Sequence, residues 1–191
     1  WYPHNYLDEN EQIVGQSTEI VKQVLANSGM SYTLDLYPWA RAYKLATTET
    51  NVLIYSMYRT PTREPLFHWI CPLRAPLAIS IYKLTSRQDI QLRQLSDVKH
   101  YRFLVNELSH SHEYLLEQGL VEGEDFLTHP ETSEFFELLL KSRIDLIVAS
   151  AVTMQEHTNQ RGLPDNIVTP IMKFHERQVC MALSISSDKQ I

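Results

Sequence analysis

The feature that most constrains the fold is a short run at residues 144–149, IDLIVA, which is apolar at every position but one. Such a run is typical of a strand buried on both faces, in the middle of a sheet that helices cover. Strand-like and helix-like segments alternate along the rest of the chain. This alternation predicts an α/β protein built on parallel sheets.

The other elements follow from hydrophobic periodicity and from proline and glycine positions. Apolar residues at helical spacing predict helices at residues 17–27, 39–47, 111–118 and 132–142. Alternating or compact apolar runs predict strands at residues 31–37, 51–57, 77–82, 101–105 and 179–184. With 191 residues, the chain is long enough for one large domain or two small lobes.

Composition narrows the class of protein. The formal net charge of −6 argues against a nucleic-acid partner, because duplex-binding proteins carry a basic surface that neutralises phosphates. No apolar run approaches the roughly 20 residues that span a bilayer. Nothing at the N-terminus resembles a signal peptide, so a secreted protein would be present here in its mature form.

The two cysteines, Cys71 and Cys180, are far apart in the sequence. They form no CxxC pair and no His/Cys cluster at zinc spacing, so no metal site or cofactor is predicted. Two interpretations stay open at this point. The cysteines are either two buried thiols or one disulfide, and a disulfide requires an oxidising compartment.

The densest candidate site is the turn YSMYRTPTRE at residues 55–64, which follows a predicted strand. Arg59 and Arg63 each offer a planar fork of donors that suits a carboxylate or phosphate. Open α/β sheets bind ligands at the carboxyl ends of their strands, where these arginines lie. Ser56 and Tyr58 add hydroxyl groups. The alternative is a solvated turn whose arginines pair with a neighbouring glutamate.

Further candidates lie at helix starts and at the N-terminus. Trp39 is either a wall for a ligand or a core residue, and Trp1 belongs to an N-terminal aromatic cluster. Ser109 and His110 precede a helix, whose unpaired amides and dipole favour an anion; simple capping is the alternative. No GxSxG, P-loop or HExxH motif occurs, so the sequence predicts a protein that is not an enzyme.

Four stretches in one order resemble the extracellular solute-binding proteins of family 3, the amino-acid-binding components of ABC importers. They are YPHNYLDENEQIVG at residues 2–15, PWARA at 38–42, YSMYRTPTRE at 55–64 and SRIDLI at 142–147. The resemblance runs from the start of the chain to about residue 188.

The resemblance implies an α/β fold of the periplasmic-binding-protein type II, with two lobes joined by a two-strand hinge. Lobe I would comprise residues 1–74 and 176–191, and lobe II residues 75–175. A ligand would bind between the lobes and close them without chemistry.

The resemblance also implies roles for individual residues. Arg63 matches the arginine that grips the ligand α-carboxylate. The other positions that match ligand-contacting positions are Ser56, Tyr58, Trp39, Trp1, Ser109 and His110.

Three positions depart from the family pattern. Ser150 stands where the family has an acidic residue that binds the ligand ammonium group, and a hydroxyl compensates poorly for a buried cation. Leu108 replaces a glycine before the lobe II helix. Arg59 adds a second cation. Together they predict an anionic or otherwise atypical ligand.

The sequence therefore predicts a monomeric periplasmic protein that captures a small polar or anionic, amino-acid-like solute. It would deliver this solute to an ABC permease in the inner membrane. The alternative is the ligand-sensing input domain of a membrane-bound signalling protein, because the same fold serves in such proteins.

Overall fold

The computed structural model describes residues 1–130 and 134–187. The helices are α1 (Gln16–Ser28), α2 (Trp39–Thr48), α3 (His110–Glu117), α4 (Phe135–Leu140) and α5 (Ala151–Gln160). The strands are β1 (Tyr6–Leu7), β2 (Ile13–Val14), β3 (Leu53–Tyr58), β4 (Phe67–Leu84), β5 (Phe103–Asn106), β6 (Leu127–His129), β7 (Leu146–Ser150) and β8 (Val168–Ser184).

The chain forms two compact units. Unit 1 contains residues 1–77 and the chain from Arg177 onward, and unit 2 contains Ala78–Glu176. The long strands β4 and β8 each begin in one unit and end in the other. The function of the units as ligand-binding lobes, with the boundaries given above, stays a prediction.

In unit 1, β3 pairs antiparallel with the end of β8, from Leu53 opposite Leu183 to Tyr58 opposite Val179. Helix α1 covers this pair with Val21 and Leu25, which are buried because apolar residues recur at helical spacing. Helix α2 packs against the same unit through its buried Ala46. The packing of these two helices on the sheet holds β3 in place, and with it the start of the turn that follows β3.

The small hairpin of β1 and β2 leads into α1 through Gly15. This glycine has φ 124°, and a Cβ atom there would lie 2.5 Å from the carbonyl oxygen of His4. That oxygen accepts the backbone N–H groups of Ser17 and Thr18 at 3.0 and 3.4 Å. Only glycine permits this approach, which fixes the N-terminal segment on the first turn of α1.

A disulfide joins the two long strands within unit 1. Cys71 of β4 and Cys180 of β8 are bonded with an S–S distance of 2.02 Å. Of the two interpretations that the sequence leaves open, the structure contains the disulfide.

In unit 2, β7 pairs parallel with β5, which pairs parallel with β6, while β4 pairs antiparallel with the other edge of β7. Strand β7 contains residues 146–149 of the apolar run from which the fold was predicted, and Leu146 and Ile147 are buried in it. Helices α4 and α5 cover this sheet with Phe136 and Met154.

Asp145, just before β7, organises this end of unit 2. Its side chain is 8% exposed and accepts four hydrogen bonds, from Arg87 Nη1 (2.7 Å) and from the backbone N–H, Nε and Nη2 of Arg102 (2.8–2.9 Å). These hydrogen bonds, led by those of the Arg102 side chain, hold the pKa of Asp145 well below its ordinary value. The SRID stretch thus serves a structural purpose.

Two predictions about the fold were wrong. Residues 31–37 form no strand, because they are half-buried or exposed and no neighbouring strand offers hydrogen bonds to them. The sheets are not wholly parallel, since β3 with β8 and β4 with β7 run antiparallel. The predicted helix at 132–142 is observed as Phe135–Leu140, and its predicted start lies outside the described residues.

Candidate functional site

Arg63 lies five residues after the end of β3, in the polar turn where a candidate site was predicted, but its side chain is buried rather than exposed. It is 1% exposed, and its guanidinium carbon lies 5.1 Å from the ring centroids of both Trp39 and Tyr43. Its backbone N–H donates to the carbonyl and hydroxyl oxygens of Thr60 at 3.1 and 3.2 Å. The guanidinium group is therefore held in one place by two aromatic rings.

Trp39 and Tyr43 are positioned by helix α2, one turn apart on the same face. Their rings stack at 5.7 Å with an angle of 28° between planes, and both rings pack on the core of unit 1. The helix begins immediately after Pro38, which fixes the chain direction at the first turn. Trp39 is thus both a partly buried core residue and a contact of Arg63.

Arg59 forms an ion pair within the turn. Its Nε and Nη2 atoms donate to the two carboxylate oxygens of Glu64 at 2.6 and 2.5 Å, and about half of each side chain is exposed. The structure shows the alternative that the sequence allowed, a solvated ion pair in the turn. That Arg59 supplies a second cation to a ligand stays a prediction, and in this structure its charge is paired with Glu64.

Ser56 lies at an irregularity of β3. The pairing with β8 shifts register between Ile54 and Met57, and Ser56 has φ 60° within that bulge. Its hydroxyl oxygen is buried and has no hydrogen-bond partner among the described residues. A bulge re-aims side chains, and an unsatisfied buried hydroxyl at a strained position is a feature of binding sites.

Tyr58, at the end of β3, belongs to a second cluster. Its ring lies 6.1 Å from that of Trp1, which contacts His4 edge-on at 4.7 Å. Burial raises the pKa of the Tyr58 hydroxyl, because the phenolate would lose its hydration, while the nearby charge of Arg74 opposes this shift. Trp1, by contrast, is 38% exposed.

In unit 2, the candidate residues gather at one edge of the sheet. Strands β5 and β7 are parallel neighbours, so their carboxyl ends meet at the same edge, followed by α3 and α5. The Ser109 hydroxyl caps α3 by accepting the N–H of His112 at 3.2 Å, and Ser150 caps α5 by accepting that of Thr153 at 3.1 Å. Two helix N-termini therefore point their amides to this edge.

Leu108 precedes α3 with φ 54°, a left-handed conformation that glycine normally adopts. The backbone thus takes a glycine-like form at the position where the resembling family has glycine.

His110, the first residue of α3, is 3% exposed and contacts His175, a contact that was not predicted from the sequence. Its ring lies 4.3 Å from that of His175 on β8, and Tyr114 lies 6.1 Å from both rings. Sequence spacing gave no signal for this contact, because 65 positions separate the two histidines.

Four residues of these clusters were missed by sequence reasoning: Tyr43, Arg74, Tyr114 and His175. Tyr43 was detectable, since it follows Trp39 by one helical turn. Arg74 and His175 come from the long strands β4 and β8, whose full lengths local patterns did not predict.

Residues 1–130 and 134–187 contain no group of three or more His, Cys, Asp or Glu side chains arranged for a metal ion. In the same part of the chain, no helix combines the length and the apolar character that a membrane crossing requires.

Solved structures share this architecture at low sequence identity. A histidine kinase sensor domain with similarity to periplasmic binding proteins superposes with a TM-score of 0.83 at 16% identity, covering 97% of this chain and 79% of its own. Holo ArgBP from T. maritima has a TM-score of 0.76 at 16% identity, with the same coverage. A putative L-cystine ABC transporter protein from Listeria monocytogenes has a TM-score of 0.77 at 14% identity, covering 95% and 78%.

Neither a protein-family model nor a protein of curated function matches the sequence. The structural likeness confirms the predicted α/β, periplasmic-binding-protein fold. The two-strand hinge stays a prediction.

Proposed function

We propose that this protein is an extracytoplasmic solute-binding protein of the family 3 type, which captures a small carboxylate-bearing, amino-acid-like solute. Arg63 is the residue that carries this proposal. It lies in the turn that follows β3, at the position that matches the ligand-gripping arginine of the resembling family, and two aromatic rings hold its guanidinium group.

The surroundings of Arg63 suit an anion clamp. A guanidinium group can stack on aromatic rings and still donate in-plane hydrogen bonds to a carboxylate. Because Trp39 and Tyr43 already order the side chain, little conformational entropy is lost when a ligand binds. The position is also dry, with 1% exposure, and charge-assisted hydrogen bonds are stronger away from water.

The other proposed contacts form two groups. In unit 1 they are Ser56, Tyr58, Trp39 and Trp1. In unit 2 they are Ser109, His110 and Ser150, which lie at the sheet edge where two helix N-termini favour an anion. Ser150 is engaged in capping α5 and supplies no charge for an ammonium group, which supports an anionic ligand over a neutral amino acid.

The proposal extends to location and partner. A disulfide persists in an oxidising compartment, so Cys71–Cys180 supports a periplasmic site of action. There, the protein would act as a monomer and deliver its solute to an ABC permease. The structural likeness to ArgBP and to the putative L-cystine ABC transporter protein supports a transport role.

A second candidate function is a sensory input domain. It is favoured by the TM-score of 0.83 to a histidine kinase sensor domain, above those of the two transport-related proteins given above. The full-length gene and the genes beside it distinguish the transport function from the sensory function. A membrane-spanning helix and a kinase or cyclase domain in the same protein would support the sensor, and adjacent permease and ATPase genes the transporter.

The binding claim is tested by a thermal-shift screen of amino acids, dicarboxylates and phosphorylated or sulfonated compounds. A ligand present at about 100 times its Kd stabilises the folded protein by about 2.7 kcal/mol. The best ligand is then titrated against Arg63→Gln and against a matched control, Arg41→Gln, which removes an exposed arginine of the same unit. We expect R63Q to weaken binding by about 10- to 100-fold and R41Q to leave it unchanged. Equal affinity in R63Q and wild type would contradict the proposal.

A further inference from the structure

We propose that Arg74 forms a second anion subsite in unit 1, so that the ligand carries a second negatively charged group besides the carboxylate at Arg63. This inference rests on the proposed solute-binding function and specifies its ligand class. The subsite consists of Arg74 with Trp1, His4 and Tyr58, four residues from three separate segments of unit 1.

Arg74 is placed by β4, three residues after Cys71 of the disulfide, so its backbone is well anchored. Its guanidinium carbon lies 5.9 Å from the Trp1 ring, and its Nη1 and Nη2 atoms lie 2.6 and 3.0 Å from the two ring nitrogens of His4. The group is half-buried, and burial holds its pKa below the ordinary value of an arginine. The Arg74 cation is thus partly shielded from water and lies beside an aromatic ring.

No carboxylate of the described residues compensates the charge of Arg74, whereas four other arginines have an acidic partner. Arg59 pairs with Glu64, Arg87 and Arg102 pair with Asp145, and Arg161 pairs with Glu137. Arg74 forms no ion pair with any carboxylate of the described residues. A half-buried cation without an acidic partner is costly, and a ligand anion would remove that cost.

His4 and Gln16, whose Oε1 accepts from Arg74 Nη1 at 3.5 Å, leave part of the donor capacity of Arg74 unused. Burial, and next the charge of Arg74, lower the pKa of His4 to about 3, so its imidazole is neutral at physiological pH. A neutral imidazole has one acceptor nitrogen and can satisfy one N–H group, whereas a guanidinium group has five. The Nε–H group of Arg74 is buried and has no hydrogen-bond partner among the described residues. An oxyanion can accept from it.

Tyr58 connects this cluster to the Arg63 segment. It closes β3, five residues before Arg63, and its ring lies 6.1 Å from Trp1. The Ser56 hydroxyl, buried without a hydrogen bond among the described residues, lies two positions earlier in the same strand. The end of β3 therefore contributes Tyr58 to the Arg74 cluster, and the turn that follows β3 contains Arg63. This arrangement suits a short ligand with two oxyanion groups.

The chemistry that Arg74 recognises is shared by carboxylates and phosphates, because both accept two hydrogen bonds from a guanidinium fork. The test uses pairs of probes in which one member has one additional anionic group; this member, with two oxyanion groups, is termed dianionic. L-Glutamate is compared with L-glutamine, succinate with succinamate, and O-phospho-L-serine with L-serine, all by isothermal titration calorimetry. We expect the dianionic member of at least one pair to bind about 10- to 100-fold tighter than its partner. The pair that shows this ratio identifies the group.

Arg74→Gln should reduce that ratio to about one, because glutamine keeps a polar side chain but loses the charge, and Arg41→Gln should preserve it. Since the wild-type ratio is measured first, the proposal is testable even if R74Q does not fold. Equal binding within every pair, no binding of any dianionic probe, or an unchanged ratio in R74Q would each overturn it.

The two proposals fail in different ways. If a neutral or cationic amino acid binds best and needs Arg63, solute binding stands and the Arg74 subsite is wrong. If no amino acid or carboxylate binds at all, both are wrong.

Discussion

Reduction of the disulfide between Cys71 and Cys180 should lower the free energy of unfolding of this protein by several kcal/mol. The bond joins β4 to β8 within unit 1, and the chain between the two cysteines contains the whole of unit 2. It therefore closes a loop around most of the molecule. In the unfolded chain, this loop removes many conformations that the reduced protein can adopt.

The size of the effect follows from the length of the loop. The cysteines are 109 residues apart. In the chain-entropy description, a loop of this length lowers the entropy of the unfolded chain by about 16 cal/mol/K. At 25 °C this corresponds to about 4.8 kcal/mol, a large fraction of the 5–15 kcal/mol that is typical for a folded domain.

Urea unfolding followed by circular dichroism, with and without dithiothreitol, measures this difference. With a denaturant slope of about 2 kcal/mol/M, the midpoint should fall by about 2.4 M urea on reduction. The double variant Cys71→Ala, Cys180→Ala is the matched control. It should unfold near the reduced wild type and should not respond to dithiothreitol.

An unchanged urea midpoint of the wild type after complete reduction, verified by thiol counting, would contradict the predicted stabilisation. Equal destabilisation of the double alanine variant by dithiothreitol would also contradict it, since the effect would then not come from this bond.

Two further predictions concern residues that stabilise the fold, Asp145 and Gly15. Asp145→Asn should cost about 2–3 kcal/mol at pH 7, because the amide presents a donor to the arginine fork. The pKa of Asp145 is lowered in the folded protein, so the stabilisation that its carboxylate provides is full above the ordinary carboxyl pKa of about 3.9 and is lost as the pH falls below it. The urea midpoints of wild type and variant should therefore converge in acid. A constant difference between the two midpoints would contradict this prediction. Gly15→Ala should cost about 2–4 kcal/mol in thermal unfolding, since its Cβ would lie 2.5 Å from the His4 carbonyl. Gly162→Ala, where no atom lies within 4 Å, should cost about 1 kcal/mol, and equal losses would refute the argument.

The sequence predicted the elements whose stabilising contacts are local. Helices α1 and α2 were predicted close to their ends because their apolar stripes, Pro38 and Gly29 are all local signals. The buried strand β7 was predicted because a strand covered on both faces has an unbroken apolar sequence.

What the sequence could not predict depends on distant parts of the chain. Residues 31–37 have the alternation of a strand but no neighbour to pair with, and pairing is what makes a strand. The long strands β4 and β8 carry prolines and charges that break the local pattern, yet pairing with other strands keeps them extended.

The candidate site shows the same division. Arg63 and its surrounding motif were identified from residue type and order. The contacts that give Arg63 and Arg74 their character come from α2 and from the N-terminal segment, and these are tertiary contacts. The pairing of Arg59 with Glu64 was weighed from sequence, but only the geometry selects it.

The most direct test of the central claim is a double-mutant cycle between Arg63 and the carboxylate of the ligand. Wild type and Arg63→Gln are each titrated calorimetrically with the best ligand of the screen and with its α-carboxamide. If Arg63 grips the carboxylate, the amide should lose about 1.5–3 kcal/mol of binding free energy in the wild type and almost nothing in the variant. Equal losses in both proteins would show that Arg63 does not hold this group, and the proposed clamp would be wrong.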